Sequence, residues 1–326
     1  MSLFAIVLVL LLEQFHAIPA RRLARAWFID LSAKLKQRFN DGEYQQGVLA
    51  WLLLAALPSI CVLIASTVLW WNSPWWAFAL SFGVLYFTMG LRHFGNQFTA
   101  LLHALQFAEI ERARSLLAEW TEQSADRLTP TEVAGQAIAR GLSDTHQYLF
   151  APIFWFVVLG PAGALMYRVA QLLDASWGQS WRANRGGVQG SLDADPGQFG
   201  EFTHQTFFVI DWIPARLTGA ALALAGDFED AAQCWRTQLG QSPTIYQEIV
   251  LAAGAGALSA RLNVPTSTAF APVGDEASVV EFGLGDEADS NVMQRAAALV
   301  WRTLLFILVL LAVIWLSTFH KFFNFF

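Results

Sequence analysis

From Gly47 to Leu91 the sequence carries no Asp, Glu, Lys or Arg, and this stretch limits the possible folds more than any other feature. About 20 apolar residues suffice to cross a bilayer as a helix, the form in which a lone segment satisfies its own backbone polar groups. Residues 47–71 make one such run, with Pro58 in its middle. Residues 75–91 make a second, and Asn72-Ser73-Pro74 between them is a tight uncharged turn. The pair predicts a membrane helical hairpin, with Trp70, Trp71, Trp75 and Trp76 marking one interface. Composition agrees: 14% of the 326 residues are charged, against about 25% in an average soluble domain. The net charge of −6 is modest and argues against a nucleic-acid partner. Of the two cysteines, Cys61 lies in a predicted span, and no His/Cys cluster marks a metal site.

The rest of the chain is read on the same terms. Residues 2–15 are apolar but short for a full span and read as a first membrane helix. Arg21, Arg22, Arg25, Lys34, Lys36 and Arg38 interleave with Leu23, Trp27, Phe28, Leu31 and Leu35 at helical spacing. That pattern predicts an amphipathic helix on the cytoplasmic leaflet, with a binding groove as the other reading. Basic residues beyond both ends of the hairpin place 13–46 and 92–147 in the cytoplasm by the positive-inside rule. Residues 92–147 read as a soluble-type helical insert, its last helix started by Thr129-Pro130-Thr131-Glu132 as a capping box. Residues 148–168, 207–226 and 296–319 are the remaining membrane segments. Residues 245–262 read as a buried or re-entrant helix, and 180–201 and 266–290 as polar loops. The expected fold is thus all-α: one polytopic domain over 1–326, with roughly 4–6 membrane helices, some interrupted by Pro or Gly.

Residues 148–226 hold the candidate site. They are strongly apolar yet carry Arg168, Asp174, Asp211 and Arg216, and an ionisable residue at membrane depth costs about 2.5–3.5 kcal/mol on insertion scales, so each needs a reason. Arg216 stands first, since a guanidinium grips phosphate or carboxylate bidentately. It is expected to face the bundle interior, with a salt bridge to Asp211 or Asp174 as its structural role. Pro214 is expected to break the helix and bring Asp211 and Arg216 together. Asp144 and His146 lie just before the segment. The histidine is able to titrate or contact an anion, against the plainer reading of a surface histidine.

Phe150-Ala151-Pro152-Ile153-Phe154-Trp155, the run from Gly160 to Arg168, Leu173-Asp174 and the run from Ile213 to Gly219 resemble the superfamily of CobD/CbiB and AmpE membrane proteins. The similarity extends, more weakly, over nearly the whole chain. The resemblance implies one of two functions. CobD/CbiB members are adenosylcobinamide-phosphate synthases, which join aminopropanol phosphate to a corrinoid carboxylate with ATP and Mg²⁺. AmpE members are inner-membrane proteins of cell-wall signalling. Several motifs of the synthases are changed. Glu13 to Arg22 contains neither the Asp-Pro nor the His-Pro of that family. Its Glu-Asn-Thr-x-Asp-Gly reads Ser143-Asp144-Thr145-His146-Gln147-Tyr148. Its Asn-Thr-Leu-Asp reads Gln171-Leu172-Leu173-Asp174. The Asp-Asp upstream of Pro214-Ala215-Arg216 reads Phe207-Phe208, its Asn becomes Asp211, and the Asn-Ala-Gly-x-Pro after Ser242-Pro243 is absent. Mg²⁺ needs carboxylate oxygen beside phosphates, which Phe cannot supply. The pattern predicts an AmpE-like, non-enzymatic accessory protein of the bacterial inner membrane, without cofactor, binding an anionic cell-wall-derived or corrinoid ligand. The alternative is the synthase, with ATP and Mg²⁺.

Overall fold

The computed structural model describes residues 2–15, 20–39, 43–178, 198–240, 247–265 and 279–323. Helices dominate: α1 (Ser2–Phe15), α2 (Ala20–Phe39), α3 (Tyr44–Trp51), α4 (Leu57–Asn72), α5 (Pro74–Thr88), α6 (Leu91–Gln106), α7 (Ile110–Thr121), α8 (Pro130–Thr145), α9 (Ala151–Leu173), α10 (Phe199–Ala225), α11 (Phe228–Thr237), α12 (Glu248–Ala257) and α13 (Ser290–Phe323). Short π-helical turns at Leu52–Ala56, His146–Phe150 and Asp174–Gly178 join or extend them. Among the described residues, four helical stretches are by length and composition long and apolar enough to cross a membrane: Tyr44–Asn72, Pro130–Gly178, Phe199–Ala225 and Ser290–Ser317. Leu57, Ile60, Leu63, Ile64 and Val68 on α4 and Leu305, Val309, Leu310 and Val313 on α13 point outward. Exposed apolar stripes of that length need lipid against them. The chain is a helical membrane protein.

The stretch 148–168, expected to be one span, is instead a helix folded back on itself. Gly160 sits at φ 65°, ψ −153° in the middle of α9, a conformation open in practice only to glycine. Beyond it the chain runs antiparallel to its own first half. Gln171 Nε2 donates to Gln147 Oε1 at 2.9 Å, Arg168 lies over the Tyr148 ring at 4.3 Å, and a Cβ on Gly163 would strike the Trp155 carbonyl. In a straight helix residues 147 and 171 would be about 36 Å apart. The outgoing arm, 151–159, reaches only about 14 Å, against about 30 Å of hydrocarbon. This is a re-entrant hairpin whose Val157, Val158 and Leu159 tip is exposed.

Pro152 and Pro214, buried in the helices, each leave a carbonyl that a group from another element answers. Pro152 cannot donate to the Tyr148 carbonyl, which accepts from Gly90 N–H instead, at 3.3 Å. Pro214 leaves the Ile210 carbonyl, and Trp155 Nε1 of the hairpin donates to it at 3.3 Å. Pro58 follows the π turn Leu52–Ala56, where the Leu57 N–H reaches back to the Leu52 carbonyl. Because Trp155 repairs its ladder, α10 runs unbroken through Pro214, contrary to the break expected there.

A second layer packs α6, α7, α8, the end of α10, α11, α12 and the start of α13 around one apolar core containing Leu101, Leu117, Ile138, Leu222, Val250 and Met293. Thr129 caps α8 in the expected box, with Glu132 closing it. Of the expected helix 245–262, Glu248–Ala257 is helical and strand β1 (Ala260–Pro265) follows it, while 245–246 lie outside the described residues. β1 pairs antiparallel with β2 (Val279–Phe282) and parallel with β3 (Asp286–Glu287), in the order β2-β1-β3. The fold is therefore helical with one small sheet, and the acidic stretch 266–290 is not all loop. Its residues 266–278, and 180–197 of the other expected loop, lie outside the described residues, while 199–201 already belong to α10.

Candidate functional site at the base of the re-entrant hairpin

Residues 204, 211 and 218 of α10 are seven apart, two helical turns, and so share one face. That face packs against both feet of the hairpin. One foot is the π turn His146–Phe150, the other the π turn Asp174–Gly178; such turns are frequent at functional sites. Each foot delivers one ionisable side chain, and α10 answers with the opposite type. His146 Nε2 lies 2.9 Å from Asp211 Oδ1, and its Nδ1 lies 2.9 Å from Thr218 Oγ1. Tyr167, on the returning arm, donates its hydroxyl to Asp211 Oδ1 at 2.8 Å. At the other foot His204 Nδ1 meets Asp174 Oδ1 at 3.1 Å.

The two pairs differ in access. The side chains of His146 and Asp211 are 0% and 4% exposed, whereas His204 is 17% exposed beside an Asp174 that is 1% exposed. An ionised carboxylate only accepts, so His146 Nε2 carries a proton toward Asp211, and in the neutral ring Nδ1 accepts from Thr218. His146 is thus buried and doubly held, not a surface histidine. At the second pair Gly178 is required, because a Cβ there would collide with the Asp174 carboxylate.

The other expected site residues lie apart. Asp144 is buried but belongs to the α7–α8 contact: Trp120 Nε1 donates to it at 3.0 Å and Arg140 Nε approaches to 3.1 Å. Arg168 is half-buried and donates to Gln171 Oε1 at 2.8 Å. Arg216 does not face the interior beside Asp211 or Asp174. It stacks 3.7 Å over the Trp212 ring and donates to the Trp212 carbonyl at 3.1 Å. In an unbroken helix residues five apart are rotated by about 140°, so Asp211 and Arg216 must look different ways. Tyr167, His204 and Thr218 were not among the sequence candidates; the polar repeat at 204, 211 and 218 on an otherwise apolar helix is the signal that marks two of them.

Among the described residues no three His, Cys, Asp or Glu side chains converge on a possible metal position. Phe207, where the resemblance leads one to expect an acid, is buried and packs on Tyr167 with ring centroids 5.7 Å apart.

Fold and site define a class: a helical membrane protein with a re-entrant hairpin whose feet carry two reciprocal His–Asp pairs. A family model described as CobD/Cbib protein matches residues 5–300, and the chain belongs to that family. It is 31% identical to the cobalamin biosynthesis protein CobD of Stutzerimonas stutzeri over 97% of this chain and 99% of that one. It is 31% identical to the protein of the same name from Chromobacterium violaceum over 55% and 54%. It is 29% identical to a probable cobalamin biosynthesis protein CobD of Methanothermobacter thermautotrophicus over 48% and 50%. No solved structure matches. This likeness to proteins named for cobalamin biosynthesis backs the second of the two expected functions better than the first.

Proposed function

We propose that the chain acts in cobalamin biosynthesis as an adenosylcobinamide-phosphate synthase, forming an amide between a corrinoid carboxylate and aminopropanol phosphate, with ATP as co-substrate. One observation carries this reading: the end-to-end similarity to a relative named for cobalamin biosynthesis, at 31% identity. The paired His–Asp groups support it, since amide formation from an amine needs a proton acceptor.

A second reading has one observation behind it. Phe207 fills the space of an acid with an aromatic ring, which favours a non-catalytic, AmpE-like member that keeps the scaffold and binds an anionic ligand. Complementation separates the two. A strain lacking its own synthase is given this chain and grown on cobyric acid as corrinoid source. Growth is expected. No growth, with the protein present in the membrane at normal level, turns the case to the second reading.

A further inference from the structure

Where the membrane bundle meets the second layer, α6, α8 and α13 leave a cleft of about 130 Å³ between them. Its floor belongs to both apolar cores. Ile138 and Ala296 are part of the core of the second layer, and Leu304 is part of the core shared by α1, α5 and the hairpin. Thr99 on α6 and Trp301 on α13, both exposed, form the rim.

Among the described residues that line the cleft none is ionisable. Its two threonines turn their hydroxyls to their own helices. Thr99 Oγ1 donates to the Gly95 carbonyl at 2.8 Å, and Thr145 Oγ1 to the Gly141 carbonyl at 2.7 Å. A Cβ on Gly95 would meet no atom within 4 Å, so that wall is open space. Water needs polar partners to stay in such a place, and an apolar cavity of about 150 Å³ takes up a benzene-sized group instead. Where the cleft opens decides what fills it. Along the same face of α13, Trp301 and Leu304 are followed by Leu305 and Leu308. Trp301 and Leu305 point outward, in the apolar stripe that lies against lipid.

We propose that this cleft takes the acyl chain of a bilayer phospholipid, which enters past Trp301 and packs on α8. The lipid stripe of α13 is continuous with the rim, so the chain passes from bilayer to protein without crossing water. The binding site is independent of the reaction assigned above, but it adjoins the site for it. Thr145 lines the cleft and His146 follows it directly. The acyl chain therefore supports the end of the helix that delivers His146 to Asp211.

The test uses the full chain in phosphatidylcholine nanodiscs, with part of the lipid carrying a diazirine on one acyl chain. After irradiation, adducts are located by mass spectrometry. They are expected on segments 95–99 and 138–145, which line the cleft, besides those on the outward faces of α4 and α13. Gly95→Leu and Thr99→Phe each place an apolar side chain in the cleft. Both are expected to abolish the adducts on these two segments and to leave those at Ile60 and Ile64, which point outward on α4, as they are. The α4 adducts report that each variant is folded in the bilayer. Parent adducts confined to the outward faces, or adducts on α6 and α8 that survive both substitutions, overturn the proposal. Benzoylphenylalanine placed at position 99 tests the other occupants. A gain of one phospholipid mass is expected, whereas a covalent dimer, or an adduct with a soluble molecule, overturns the assignment to lipid.

Discussion

His146 Nε2 and Asp211 Oδ1 meet at 2.9 Å across 65 residues of sequence, sealed from solvent between a π turn and α10. A charge-capable pair so deeply buried stabilises only while both partners are present, since removing one leaves the other uncompensated. His146→Leu and Asp211→Leu are each expected to cost about 3–5 kcal/mol, and the double change much less than their sum. A double-mutant cycle by denaturant unfolding in detergent measures this. Additive single costs would mean the two side chains do not depend on each other.

Gly160 turns the hairpin at a positive φ where its added Cβ would meet no neighbour. The cost of replacing it is therefore pure backbone strain. Gly160→Ala is expected to lose about 1–3 kcal/mol. Gly163→Ala is expected to lose stability by another route, collision with the Trp155 carbonyl. Unfolding free energies of the two variants check both. An unaffected Gly160→Ala protein is incompatible with a reversal at that residue.

The hairpin also sets a topology. Both of its feet emerge on one face, with α6–α8. Basic residues on 13–46 and 92–147 predict that face to be cytoplasmic. Single cysteines at Ser73, Ser124 and Ala175, with Cys61 and Cys234 replaced, test this with an impermeant maleimide. In intact cells Ser73→Cys is expected to label. Ser124→Cys and Ala175→Cys are expected to label only in inverted vesicles. Opposite behaviour of the last two positions would require residues 151–173 to cross the membrane.

Cys234, on α11, lies outside the membrane segments and is buried. Burial first, and then the Asp230 carboxylate, push its thiol above the ordinary value. The folded state keeps that proton longer than the unfolded chain does. Its contribution to stability is therefore whole below the ordinary thiol range and is lost as pH rises through the folded value. Stability of the parent protein is expected to decline in alkaline buffer, and Cys234→Ala to flatten that decline. Iodoacetamide is expected to alkylate the folded protein at Cys234 more slowly than a free thiol at pH 8, and faster after Asp230→Asn. An unchanged rate in that variant would remove the carboxylate from the account.

The sequence by itself determined the solvent and the class of fold. Long uncharged runs such as 47–71 admit no other answer than membrane helices, because nothing in hydrocarbon satisfies a backbone except the segment itself. It also determined local events: the cap at Thr129, the turn at Asn72-Ser73-Pro74, and the ionisable residues within 148–226. It did not determine which of them meet. Asp174 was legible as a candidate, but its partner His204 lies 30 residues away, and Asp211 lies 65 from His146. Only the tertiary structure decided that Gly160 reverses the chain rather than kinking it, since a glycine in an apolar run is compatible with either. It decided too that Pro214 does not break α10, because Trp155, which closes the gap, comes from a different helix. With α10 straight, helical geometry alone turns Arg216 away from Asp211, and long-range packing puts a histidine there instead.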